Sequence, residues 1–264
     1  MIFYSAFDHS YLWLPLIGFI VGLLGSMIGG GGGFVFPPTL IVLFKVPAHV
    51  AVATSLAATL PICLMGTMGH YRNGNLDINT GIIFGIAGIF GAITGTFITI
   101  RLTSNQLQTI FGIYTILLAV MLMVNNYRDK KTKQSTRNNI RQFLGIIPKG
   151  SFYGFTGGMI SGTFGTSGTA PVLTGLLVRK LPVKLIAGTS LMVIFINTLS
   201  ALTGHLVLGI IDLTLVWLLT AGTVIGAFSG PKLTVRMNLP GKESSIRHIF
   251  VYVLLVFGIL VLIT

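Results

Sequence analysis

The stretch Ile28-Gly29-Gly30-Gly31-Gly32-Gly33-Phe34-Val35-Phe36-Pro37-Pro38 sets five consecutive glycines and a double proline inside otherwise apolar sequence. Glycine loses more backbone entropy on ordering than any other residue, and proline has no amide donor, so a helix entering this stretch must break in it. The chain around it is 53% hydrophobic and only 8% charged, which places it in a bilayer rather than in water. At membrane depth a broken backbone survives only where protein packs around it or a wet cavity faces it. The expectation is an all-α polytopic membrane protein with Gly-broken helices.

The stretch has a second copy. Shifting the chain by 135 residues without a gap pairs Gly22, Ser26, Gly30, Gly33, Thr39, Lys45 and Pro47 with Gly157, Ser161, Gly165, Gly168, Thr174, Lys180 and Pro182. Further along, Thr54-Ser55-Leu56 falls on Thr189-Ser190-Leu191, Gly69-His70 on Gly204-His205, Gly74 on Gly209, and Asp77 on Asp212. A match of this length reads as one unit duplicated in tandem. The expected organisation is a first membrane repeat over 1–124, a basic cytoplasmic linker over 125–149 and a second membrane repeat over 150–264.

Each half holds five apolar segments, about 8–10 membrane segments in all, because the second of each (34–44 and 169–178) is shorter than the roughly 20 residues of a spanning helix. The net charge of +12 does not point to nucleic acid, because the basic residues sit between apolar segments and form no basic, aromatic face. Seven of them, Arg128, Lys130, Lys131, Lys133, Arg137, Arg141 and Lys149, lie in the linker, which the positive-inside rule assigns to the cytoplasm. The charge alternation along the second half fits an odd number of crossings per half, and hence inverted topology of the two repeats; if the short segments do not cross, each half has four spans and the repeats run parallel.

Acids are scarce. Asp8, Asp77, Asp129, Asp212 and Glu243 are the whole set, and each falls at a predicted end or loop, which disfavours a buried cation site or an acidic proton relay. The single Cys63 excludes an internal disulfide and any CxxC redox or thiolate metal motif, and no metal or cofactor is expected. Glycine-rich helix breaks flanked by hydroxyls suit an anion instead, because free amides and the positive ends of helix dipoles converge there. The residues expected to face the anion are Gly30, Gly31, Gly32 and Gly33 from the first break, and Thr166, Ser167, Gly168 and Thr169 from the second. Thr54, Ser55, Thr189, Ser190 and Asn197 would support them from the spans.

The recurring pairs His70 with Asp77 and His205 with Asp212 read as gating groups or as residues that fix a turn. An alternative from another class rests on Gly165-Thr166-Ser167-Gly168 and Gly204-His205, which resemble the serine and histidine of rhomboid intramembrane proteases. Against it, the first copy has Gly32 where Ser167 stands. A passive anion channel is a further alternative.

The blocks GLLGSMIGGGGGFVFPPTL (22–40) and VPAHVAVATSL (46–56), echoed by GFTGGMISGTFGTSGTAPVL (154–173) and LPVKLIAGTSL (181–191), resemble the TauE/SafE family of sulfite-exporter-like permeases. The resemblance covers nearly all of the chain outside the linker. It implies transport of small anions, such as sulfite, sulfonates and related oxyanions, across the bacterial cytoplasmic membrane. The expected mechanism is alternating access, with the lipid bilayer and the anion as the only partners implied.

Overall fold

A computed structural model describes residues 2–6, 8–129, 146–179, 181–208, 211–236 and 243–263. The order is α1 (Leu14–Ile28), α2 (Phe36–Phe44), α3 (Ala48–Arg72), α4 (Ile78–Arg101), α5 (Ser104–Asp129), α6 (Ile146–Phe164), α7 (Thr169–Val178), α8 (Val183–Leu208), α9 (Leu213–Arg236) and α10 (Glu243–Ile263). Two short strands, β1 (Ile2–Phe3) and β2 (Ile211–Asp212), pair in parallel. Among the described residues, five segments are long and apolar enough to cross a membrane: His9–Met27, Ala48–Arg72, Ile78–Arg101, Lys184–Val207 and Leu213–Gly230. Most of the expected linker, 130–145, lies outside the described residues, as do Lys180 and Gly209. Helix covers both ends of that stretch, because α5 continues to Asp129 and α6 starts at Ile146.

Both breaks occur where the sequence demands them. α1 stops at Gly29, whose φ of 78° is left-handed and whose N–H donates to the Gly25 carbonyl, and α2 restarts with Pro37 and Pro38 in its first turn. A first turn tolerates proline because its amides have no partner within the helix. The second break turns at Gly165 (φ 65°) and Gly168 (φ 55°) before α7. α2 has nine residues and α7 ten, about 13–15 Å of helix, or half a hydrocarbon core.

Chain directions follow from the contacts. α3 and α8 run antiparallel, with His70 beside Gly188, Gly66 beside Leu191, and Cys63 packed with Ile194. α4 runs parallel to α8, Gly81 meeting Met192 and Gly204 meeting Thr96. α4 also runs parallel to α6, and α1 parallel to α9. α5 and α10 are antiparallel, Gly112 meeting Leu262 and Gly258 meeting Ile116. β1 and Ser5 sit at the turn between α8 and α9, so α1 enters at the end of the bundle where α8 finishes. α4 finishes at that same end, where the Leu102 carbonyl accepts from His49 Nε2 (3.0 Å) near the start of α3. The α1–α2 pair therefore enters and leaves at one end, and α6–α7 enters and leaves at the other.

Two glycine seams hold this arrangement. On α6, Gly154, Gly158 and Gly162 lie against the carbonyls of Phe84, Gly88 and Ala92, while Gly91 and Gly95 of α4 lie against those of Phe155 and Met159. Gly18 and Gly22 of α1, with Gly222 and Gly226 of α9, form the matching seam. A β-carbon at these positions would overlap backbone, which is the close approach that small residues permit between membrane helices.

Candidate functional site

The breaks meet inside the bundle. Gly29 to Gly33 and Gly165 to Gly168 are all buried, and the two loops touch. Ser167 Oγ lies 2.7 Å, and Thr169 Oγ1 2.6 Å, from the Gly30 carbonyl oxygen, with 2.8 Å between the two hydroxyls. Two hydroxyl protons serve these three contacts, so two at most are hydrogen bonds at any moment. The two breaks close directly on each other, and the hydroxyls of Ser167 and Thr169 are engaged by the opposite break.

The Thr-Ser pairs make matching cross-links. Ser55 Oγ of α3 donates to the Gly165 carbonyl (2.5 Å), and Ser190 Oγ of α8 donates to the Gly29 carbonyl (2.6 Å). Each also lies 3.0 Å from a carbonyl of its own helix, Val52 and Ala187 respectively. Both carbonyls follow the last turn of a broken helix, where no backbone donor remains, so the serines complete the two helix ends. Thr189 Oγ1 accepts the Asp77 N–H at 2.9 Å, whereas Thr54 Oγ1 is buried without a partner.

The histidines clamp those ends from one turn earlier. His70 Nε2 stands 3.3 Å from the Ser26 carbonyl, and His205 Nε2 2.8 Å from the Gly162 carbonyl. A carbonyl only accepts, so Nε2 is the protonated nitrogen in both rings. The aspartates do not join them. Asp77 caps α4 through Thr80 N (3.1 Å) and Thr80 Oγ1 (2.7 Å), and Arg179 at the end of α7 donates to that same Thr80 hydroxyl (2.8 Å). Asp212 accepts from Ser5 N (3.3 Å) and Thr214 N (3.0 Å) at the start of α9.

The Ser167–His205 dyad expected of a protease is absent, since each side chain is held by a different backbone carbonyl. Asn197 bonds neither break, although its amide lies near Gly157, against which Gly168 of the second break packs. With its amide oriented to suit its neighbours, it donates to the Val193 carbonyl and accepts from Gly158 N, both at 3.3 Å, wedged among α4, α6 and α8.

Donors remain unpaired at the meeting point. The amides of Gly32, Gly33, Thr166, Ser167 and Gly168 find no acceptor among the described residues. Thr166 Oγ1 makes no well-formed hydrogen bond, although the Tyr114 hydroxyl lies beside it. Tyr114 also lines an apolar crevice of about 320 Å³ that runs between α5, α6 and α7 to Pro171 and Thr174. Sequence reasoning missed Tyr114, because one tyrosine in an apolar span carries no local signal.

Residues 14–261 match the family described as "Sulfite exporter TauE/SafE". The chain belongs to that family. Among TauE/SafE relatives, it is 29% identical over 232 residues to the probable membrane transporter protein YdhB of Bacillus subtilis (88% of this chain, 91% of that protein). It is 27% identical over 267 residues to the probable membrane transporter protein YunE of the same organism (94% and 96%). A third relative is the probable membrane transporter protein MJ0441 of Methanocaldococcus jannaschii, 30% identical over 204 residues (74% and 73%). No solved structure matches. This TauE/SafE protein is thus a multi-pass membrane protein of a transporter family and not an enzyme.

Proposed function

We propose that the protein carries small oxyanions, such as sulfite or short sulfonates, by alternating access, and that the touching breaks form the binding site. The observation that carries this reading is the set of buried amides without acceptors on both breaks. Each costs about 1–3 kcal/mol if left unsatisfied, so a ligand rich in acceptor oxygens is the partner that best repays them. In this conformer the breaks close on each other. Parting them would free the Ser167 and Thr169 hydroxyls to join the amides around the anion. Direct contact between the breaks also speaks for alternation over a passive channel, which needs a continuous path.

The two halves then act as inverted repeats, α1–α5 and α6–α10, each a broken there-and-back pair followed by three single passes. The antiparallel course of the matching helices α3 and α8 and the paired serine cross-links support this. The connection between α3 and α4 faces the cytoplasm in this reading. Of the seventeen basic residues, all but Lys45 and Arg101 belong in sequence to helix ends and connections on that side. The membrane is the bacterial cytoplasmic one.

The test is a thermal-shift panel on purified protein with sulfite, sulfate and methanesulfonate against chloride and acetate, followed by exchange of the stabilising anion in proteoliposomes. Saturable stabilisation by a sulfur oxyanion, weakened in Ser167→Leu, is the expected result. Equal responses to all five anions would end the reading.

A further inference from the structure

We propose that His70 is the proton-binding group that couples proton movement to anion movement, an inference resting on the anion-carrier reading above. The ring is 3% exposed. Its Nε2–H is committed to the Ser26 carbonyl in the last turn of α1, and its Nδ1 is buried with no partner. Among the described histidines, the orphaned buried ring nitrogen is found at His70. Such a nitrogen in a dry interior is an acceptor waiting for a proton, and buried polar atoms left single call for a reason.

Position supplies the reason. Ser26 is three residues before Gly29, so an imidazolium at His70 would sit at the negative end of the α1 dipole and one helical turn from the first break. A lone positive charge there is costly, as is a lone anion on the break amides. Together they compensate, so binding either raises affinity for the other, and the coupling is reciprocal by linkage. In the transport step Nδ1 takes a proton from water on one side and returns it to water on the other, with the N–H bond made and broken and nothing oxidised.

Among the charged groups whose side chains are described, none takes over this role. α1 carries no ionisable side chain. Asp77, in the turn to α4, is engaged by Thr80 through both oxygens. Lys184 on α8 and Arg72 on α3 itself are exposed, and α9 contributes Lys232 and Arg236 near its end.

The experiment uses methanesulfonate, whose own charge is constant across the neutral range, in proteoliposomes held one pH unit more acidic outside. Wild-type protein should accumulate it about tenfold, the ratio set by one proton per anion. His70→Gln keeps a donor for the Ser26 carbonyl but cannot bind a proton, so whatever exchange it retains at equal pH should be weaker than wild type, and the acid-driven accumulation should be lost. Accumulation by His70→Gln equal to wild type would overturn the proposal. As a measurement independent of the variant's folding, wild-type protein in weak buffer should take up about one proton per methanesulfonate bound; no uptake would also overturn it. Wild-type protein that exchanges methanesulfonate without acid-driven accumulation defeats this proposal alone. Protein that neither exchanges methanesulfonate nor is stabilised by any sulfur oxyanion of the thermal-shift panel defeats the anion-carrier reading and takes this one with it.

Discussion

The Gly30 carbonyl permits a sharp test of how the two breaks hold each other. It is approached by Ser167 Oγ at 2.7 Å and by Thr169 Oγ1 at 2.6 Å. In Ser167→Ala the Thr169 hydroxyl still covers the carbonyl, and in Thr169→Val the Ser167 hydroxyl does, so each change removes one net hydrogen bond, about 0.5–1.5 kcal/mol. The double variant removes both donors and leaves a buried carbonyl bare. It should therefore lose the sum of the two single effects plus about 1–3 kcal/mol for the orphaned oxygen. The assay is equilibrium unfolding of the four proteins in one detergent, read as a double-mutant cycle. Agreement of the double variant with the sum, within about 0.5 kcal/mol, would mean that water already reaches Gly30 and that the breaks are not sealed against each other.

Within the glycine run the positions differ in what they demand. Gly30→Ala should change unfolding by less than about 0.5 kcal/mol, because its φ is not left-handed and the nearest atom to an added Cβ is 3.6 Å away. Gly31→Ala should cost about 2–4 kcal/mol in the same assay, from a φ of 64° and a Cβ that would meet Cys63 Sγ at 2.9 Å. Gly158→Leu should abolish recovery of folded protein from membranes, since its side chain would be driven into the Gly88 backbone across the α4–α6 seam. In a Cys63→Ala background, a membrane-impermeant maleimide applied outside intact cells should label Tyr4→Cys and spare Asn73→Cys. Both positions are exposed, and they lie at opposite ends of the bundle.

Where structure and sequence part, the reason is visible in particular residues. The 135-residue shift pairs Gly30 with Gly165 and Gly33 with Gly168, yet the glycines that share left-handed φ are Gly29 with Gly165 (78° and 65°) and Gly32 with Gly168 (69° and 55°). Beyond the break the shift returns to 135, since Thr39 bonds the Val35 carbonyl as Thr174 bonds that of Ala170. The first break thus holds one residue more. A run of identical glycines scores equally in either register, so only dihedral angles distinguish them. Ser55 and Ser190 were legible as functional candidates, but nothing local says that each reaches across to the opposite break.

From the sequence alone came the membrane class, the positions of both breaks and the family resemblance. All of these depend on composition or on the conformational limits of single residues. The tertiary structure decided that the breaks touch, that the histidines hold helix ends instead of pairing with the aspartates, that Asn197 bonds within a helix seam, and that the amides of Gly32, Gly33, Thr166, Ser167 and Gly168, without acceptors among the described residues, meet at the breaks. Those outcomes depend on which distant carbonyl lies within 3 Å of a given hydroxyl or ring nitrogen, and such distances are set by helix packing, which spacing along the chain does not encode.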